Sequence, residues 1–395
     1  MYHLTIPIAE LYALTGQTLV LDLIKAHEGL EIPTHLKERQ KKRIDMVHKG
    51  ERLDFIPIKA DIRWWLIEKY HDGTLQEALA DCDTEKIVMC SYGVFGPGES
   101  EPVPGVTSDA VWEGPPVKYV NSGYPGNKRT VRVTTSAGTI TASERYASRS
   151  FAVTEYPVKT IDDLRVVKDI YEKRAAHASQ IPVGGAPQTP IQNMLLILAG
   201  VENTVFLLED YREEVENFMD FLDEIQMPVI EHIAQNNKSV GFCENYSADI
   251  IYGYFDRYLK PQLLKRKQIA NKYGATLGVH HDGKLQPLLG KLWELGVGYA
   301  NGITSAPSGD VDMKDLRAIA GEHMVLHDII PQCVFMDEFD IGAFKEYIWQ
   351  AVDIFKNDNR VIFGIGDMLP CTADIKRLEI MIDIIMKATY APSGG

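Results

Sequence analysis

The chain alternates short apolar runs with longer amphipathic ones. Apolar runs of about four to eight residues bounded by turn signals read as buried strands, and apolar residues spaced three and four apart read as helices. This rule predicts strands at residues 55–60, 86–92, 180–186, 239–243, 275–279, 299–304, 324–326 and 361–364. Helices are predicted at 190–208, 213–236, 261–273, 284–295, 313–320 and 341–357. A charged helix over 36–50, stopped at Gly50, precedes the first strand, and an amphipathic lead-in around 8–26 precedes that. Strands in this alternation predict an α/β fold, a closed (β/α)8 TIM barrel, with an open parallel sheet as the alternative.

One stretch breaks the rhythm. Residues 96–157 are rich in Gly, Pro, Ser and Thr. Residues 130–135 and 139–143 alternate around Ser136-Ala137-Gly138, which reads as a β-hairpin. The expectation is a single barrel domain over 1–395, with an N-terminal helical extension at 1–35 and a β-rich insertion at 96–157 on its rim.

The densest polar chemistry follows the fifth predicted strand, in Leu277-Gly278-Val279-His280-His281-Asp282-Gly283. A barrel or doubly wound sheet carries its site at the C-terminal ends of its strands, so His280 is the first candidate. His281 reads either as a site residue or as a buried structural one. Asp282 reads either as a proton donor or as a cap on the turn beginning at Lys284. Glu244 follows the fourth strand and Asp256 lies in Tyr254-Phe255-Asp256-Arg257. Glu244, Asp256 and His280 together would make a hard, oxygen-rich zinc site. Tyr246 and Tyr254 line a pocket or cover a helix. Tyr92, His327 with Asp328, and Asp367 stand at the ends of other strands.

Composition narrows the classes. The 395 residues are 45% hydrophobic and 24% charged, ordinary globular values. A net charge of −14 argues against a nucleic-acid or anionic-membrane partner. The five cysteines are odd in number and widely spaced, with no Cys-x-x-Cys, which fits a reducing, cytoplasmic setting. No apolar stretch reaches the ~18 residues of a membrane span.

Taken in order, several motifs resemble the uroporphyrinogen decarboxylase superfamily. They are Glu38-Arg39 with Arg52-Leu53-Asp54-Phe55-Ile56-Pro57, then Val158-Lys159-Thr160-Ile161-Asp162-Asp163-Leu164 after the hairpin. His280 to Gly283 with Gly296-Val297-Gly298, and Ile362-Phe363-Gly364-Ile365-Gly366-Asp367-Met368-Leu369-Pro370, complete the set. The resemblance runs from about Leu36 to Ala388. It implies a (β/α)8 barrel and one of two chemistries: cofactor-free decarboxylation, or methyl transfer between a small methylated compound or thiol and a corrinoid.

The departures from the family pattern are informative. The decarboxylase carries an Arg- and Gln-rich loop after its first strand, where this chain reads Ala60-Asp61-Ile62-Arg63-Trp64-Trp65. One arginine is a poor polycarboxylate clamp, and Trp64 suits an aromatic ligand better, unless the tryptophans are helix core. Thiol-methylating relatives hold zinc on a His-x-Cys pair and a later Cys; here Asp282 and Gly366 stand at those places. The Glu244 to His280 separation resembles that of aryl methyl ether demethylases.

The expected function is therefore methyl transfer from a small O-methylated, aromatic substrate to the cobalt of a partner corrinoid protein, or to free cobalamin. His280, Asp282 and Glu244 would be catalytic, and Glu244, Asp256 and His280 would hold Zn2+. Trp64, Tyr92, Tyr246, Tyr254, His281, His327 and Asp367 would bind substrate. The corrinoid is expected on a separate chain, because no Asp-x-His-x-x-Gly loop is present. A homodimer is the assembly considered. The alternatives are a decarboxylase or other lyase, or a non-catalytic binding protein on the same barrel.

Overall fold

A computed structural model of the chain describes residues 34–53, 56–62, 65, 103–114, 128–147, 150–177, 186–370 and 372–389. In chain order, helix α1 (Thr34–Lys49) comes first. Four strands follow: β1 (Thr107–Glu113), β2 (Lys128–Thr135), β3 (Gly138–Ala147) and β4 (Ser150–Glu155). Next come α2 (Ile161–His177), α3 (Pro190–Asn193), α4 (Gly200–Asp210), α5 (Arg212–Asn236) and β5 (Ser239–Tyr246). Then come α6 (Ala248–Ile251), α7 (Lys260–Lys272), β6 (Thr276–His281), α8 (Leu288–Glu294) and β7 (Tyr299–Asn301). The remainder is α9 (Leu316–Ala320), β8 (Val325–His327), α10 (Ile341–Phe355), β9 (Val361–Ile362) and α11 (Ile375–Thr389).

The fold is mixed α/β with a parallel sheet ordered β5-β6-β7-β8-β9. Pairings β6 to β7, β7 to β8 and β8 to β9 are all parallel. Two parallel bridges extend the ladder, Ile58 with Phe363 and Ala186 with Phe242. The predicted strands at 239–243, 275–279, 299–304, 324–326 and 361–364 thus recur in pairing order, and Ile58 and Ala186, the latter the one described residue of the predicted strand at 180–186, add single bridges at either end. The predicted strand at 86–92 lies outside the described residues, as does the lead-in at 8–26.

The chain divides into two compact units. One comprises Met1–Leu79, Asn245–Tyr252 and Leu277–Gly395; the other comprises Ala80–Glu244 and Gly253–Thr276. In the second unit the predicted hairpin is half of a four-stranded antiparallel sheet, ordered β1-β2-β3-β4. Its turn sits where expected, with Thr135 paired to Gly138. Val131, Val133, Ile140 and Ala142 alternate along β2 and β3 and are buried, so one face of this sheet is core. Helix α2 starts at a capping turn, with the Asp163 carboxylate accepting from the Thr160 backbone N–H at 2.9 Å.

The helix expected over 190–208 is broken. A π turn spans Met194–Leu198, and Gly200, at φ +74°, begins α4 under the ring of Tyr156. A side chain there would collide with that ring, which is why the apolar period continues while the axis does not. Helices α5 and α7 are joined by a buried network: Arg266 donates to Asp223 at 2.6 Å and to Gln226 at 2.6 Å. The helix expected over 284–295 starts only at Leu288, because residues 284–286 are held as a loop. There the Leu285 N–H donates to Asp310 Oδ1 at 2.7 Å.

In the first unit the sheet has two distinct faces. Ile58 and Phe363 are in register, and the Phe363 ring packs edge-on against Phe355 of α10 with ring centres 6.3 Å apart. Side chains alternate along each strand, so Ile362 and Gly364 lie on the other face, as does Lys59. The register His327 with Ile362, Tyr299 with Val325 and His280 with Asn301 adds those residues to it. Helix α1 covers the start of this face: Val47 packs with Val325 and Ile362, and the His48 ring meets Tyr299 and His327. The strand ends are left for polar residues.

Candidate functional site

The first unit gathers a polar cluster at the C-terminal ends of its parallel strands. His280 is the next-to-last residue of β6, Asp328 follows β8, Asp367 follows β9, and Lys59 and Asp61 follow the bridge at Ile58. The His280 Nε2 atom is 3.9 Å from Asp367 Oδ1. Strands β6 and β9 are three places apart, about 14 Å in a flat sheet. Their contact requires the sheet to curl and the loop after β9 to lean back over it. Asp367 sits at φ +67° and Asp328 at φ +61°, a left-handed backbone that short polar side chains tolerate. That turn redirects Asp328, whose Oδ1 occupies the space beside Gly364 on the face shared with His280.

The electrostatics follow from this crowding. Burial pushes the Asp328 carboxyl up to about 7. The Lys59 ammonium and a backbone hydrogen bond from Gly302 oppose the rise, while Asp61 and Asp367 reinforce it. Asp328 is thus a carboxylic acid that keeps a substantial protonated fraction at neutral pH. His327 is 5% exposed, and its imidazole is held neutral by burial first and then by Lys59 and His48. Its Nε2 is buried without a hydrogen-bond partner.

Gly302 fits between these parts. At φ +70°, a Cβ there would meet the His281 carbonyl and sit 2.9 Å from His280 Nδ1. The ring of His280 therefore rests directly on glycine backbone.

The expected site residues separate into groups. His280 and Asp367 come together, with His327 on the same face. His281 does not join them. Alternation turns it to the opposite face of β6, where it is fully buried, with Nδ1 3.1 Å from the Tyr246 carbonyl. The Tyr246 ring packs edge-on to it at 5.8 Å. Burial lowers the His281 pKa to about 4, so it is a neutral structural imidazole. Asp282 is exposed and its backbone N–H donates to the Tyr246 carbonyl at 3.2 Å. The capping role considered for it belongs to Ser247, whose Oγ accepts from the Lys284 N–H at 3.1 Å.

Glu244, Asp256 and Tyr254 lie in the second unit. Glu244 is inside β5 rather than after it, on the buried side of an alternating strand with Val240 and Phe242. Its carboxylate accepts from the Thr189 N–H at 2.7 Å and the Thr189 hydroxyl at 2.8 Å. Both oxygens are thereby committed to anchoring the start of α3. Asp256 is exposed on a π turn spanning Phe255–Leu259, and Tyr254 is half-buried against Tyr258 at 6.2 Å between ring centres. This donor set does not fit a zinc ion. Among the described residues no three His, Cys, Asp or Glu side chains form a metal-holding group.

Trp64 and Tyr92 lie outside the described residues. Trp65 is core, with Nε1 donating to the Ala373 carbonyl at 3.1 Å. The sequence reading placed Asp328 with His327 at a strand end without giving it a role, and Lys59 and Asp61 were not among its site residues. The signal for Asp328 was present: an acid directly after Val325-Leu326-His327 and before another apolar run.

Among solved structures the chain is similar to a methyltransferase from Methanosarcina mazei, with a TM-score of 0.50 and 13% identity. The match covers 89% of this chain and 99% of that one. At that identity the likeness bears on the fold. No family model and no curated protein matches the chain. Among the described residues no helix is long and apolar enough to cross a membrane.

Proposed function

We propose that the chain is a methyltransferase on a closed (β/α)8 barrel of the uroporphyrinogen decarboxylase superfamily. In this reading it removes a methyl group from a small O-methylated aromatic compound and delivers it to the cobalt of a corrinoid on a separate protein. The order of parallel pairings and the fold likeness to the Methanosarcina mazei methyltransferase support the barrel. The single observation that carries the chemistry is Asp328, an acid held up to about 7 at the strand ends, with His280 on the same face.

A methyl ether resists transfer because the departing oxygen is a poor leaving group without a proton. A reduced corrinoid held by the partner would supply the nucleophile for the methyl group. As the methyl–oxygen bond breaks, its electron pair stays on oxygen, and that oxygen takes the Asp328 proton. Asp328 becomes a carboxylate and is reprotonated from solvent. His280, resting on Gly302 and 3.9 Å from Asp367, orients the oxygen beside it.

The test mixes the protein with free cob(I)alamin and a panel of methoxyaromatics and methylamines, following the cobalamin spectrum. Methyl transfer from a methoxyaromatic, lost in Asp328→Asn, is expected. No transfer from any member, with carbon dioxide released from a carboxylated compound instead, would replace this reading with a lyase.

A further inference from the structure

The edges of the antiparallel sheet in the second unit, β1 and β4, are built differently. Along β4 the register against β3 shifts: Ser143 pairs with Glu155 and Glu144 with Val153, so Thr154 is an extra residue. A bulge of this kind bends an edge away from further pairing. Strand β1 has no such device. All 7 of its residues pair with β2 without a shift, from Thr107 with Thr134 to Glu113 with Lys128. It contains neither proline nor lysine, the residues that commonly guard an edge. Its two acids are matched on β2: Glu113 lies 3.3 Å from Lys128, and Asp109 stands opposite Arg132. Every residue of β1 but Trp112 is exposed, on both faces of the sheet, and Val111 is 61% exposed. Among the described residues β1 has a neighbour on one side only, so half of its backbone N–H and C=O groups point outward.

The sequence of β1 is also complementary to itself. Residues directly opposite in an antiparallel pair share a face, so a twofold axis between two copies of β1 must pass through a residue position. An axis at Asp109 sets Asp109 against its own copy, and an axis at Val111 sets Asp109 against Glu113. An axis at Ala110 sets Asp109 against Val111, Thr107 against Glu113 and Ser108 against Trp112. Of these registers only the last keeps like charges from facing each other, and it alone pairs the whole strand. It sets the small Ser108 opposite the large Trp112 and leaves the small Ala110 on the axis. We propose that two copies of this chain associate through β1, antiparallel about a twofold axis at Ala110. Their sheets then form one continuous sheet, four strands from each copy. The occupant is a second copy because the match in charge and size is a match of β1 to itself, and a twofold contact closes on itself. This surface is independent of the methyl-transfer reading.

Light scattering on the full chain over a range of concentrations tests this. A dimer that dissociates on dilution is expected. Ala110→Glu sets two carboxylates face to face on the axis and should weaken the dimer about tenfold or more. Its circular dichroism should match the parent's, because Ala110 is exposed. Ala110→Cys should give a disulfide-linked dimer under mild oxidation, since facing Cα atoms in an antiparallel pair lie within disulfide reach. Ser108→Cys, which the register sets against Trp112, should not, and neither should the parent with its own cysteines. A chain that stays monomeric throughout overturns the proposal. So does a dimer that Ala110→Glu leaves unweakened, or one that crosslinks better through Ser108→Cys than through Ala110→Cys.

Discussion

His280 on β6 and Asp367 beyond β9 approach to 3.9 Å, although two strands separate their elements in the sheet. The contact ties the curl of the sheet to the position of the imidazole. His280→Ala should leave the fold intact and lower kcat by about a hundredfold or more. Steady-state kinetics beside a thermal melt would check it; unchanged turnover would mean that the chemistry lies elsewhere. Asp367→Asn should produce a smaller loss, because it removes a neighbour that orients His280 and one of the charges that keep Asp328 protonated, but neither group itself.

Asp328 makes a signed prediction about pH. Its carboxyl holds a proton up to about pH 7 in the folded chain, but only to about pH 4 when unfolded. Between those values the folded state binds the extra proton, so its contribution to stability falls as pH rises from about 4 to about 7. Denaturant melts across that window should show this slope in the parent and not in Asp328→Asn. Turnover should decline above about pH 7 as the acid form is lost.

His281 predicts the opposite slope. The unfolded chain protonates this imidazole below about pH 6.5, while the folded chain keeps it neutral down to about pH 4. Stability should therefore fall as pH drops from about 6.5 to about 4. The difference between parent and His281→Gln over that range isolates the effect from that of Asp328. A parallel pair of curves would show that burial of His281 is not what holds it neutral.

Gly302→Ala tests the backbone beneath His280. The φ of +70° and the collision with the His280 ring and the His281 carbonyl should cost about 1–3 kcal/mol in a denaturant melt. Turnover should fall further than stability alone explains, since the ring must shift. An alanine variant with normal kcat would show that the position of His280 is not critical.

Glu244→Ala should destabilise by about 1–3 kcal/mol, because the buried Thr189 N–H and hydroxyl lose their acceptor. A melt of Glu244→Ala against Thr189→Val measures the coupling. Full stability in Glu244→Ala would contradict its role as an anchor.

Much of the scaffold was legible in the chain itself. Apolar runs bounded by turn residues located seven of the ladder positions, and alternation around Ser136-Ala137-Gly138 located the hairpin. These features depend on local periodicity and turn chemistry, which a sequence carries directly. His280 was legible for the same reason, as the first polar residue after a buried strand.

Tertiary structure decided the rest, because a side chain's role depends on which way it faces and on what has been brought beside it. Three extra residues in β5 turned Glu244 into the buried face and made it an anchor. One step of alternation sent His281 behind the sheet and left His280 in front. A left-handed turn at Asp328 and the packing of α1 under His327 placed an acid, an imidazole and Lys59 on one face. No local pattern encodes that convergence: its members are up to several hundred residues apart in the chain, and only the curl of the parallel sheet makes them neighbours.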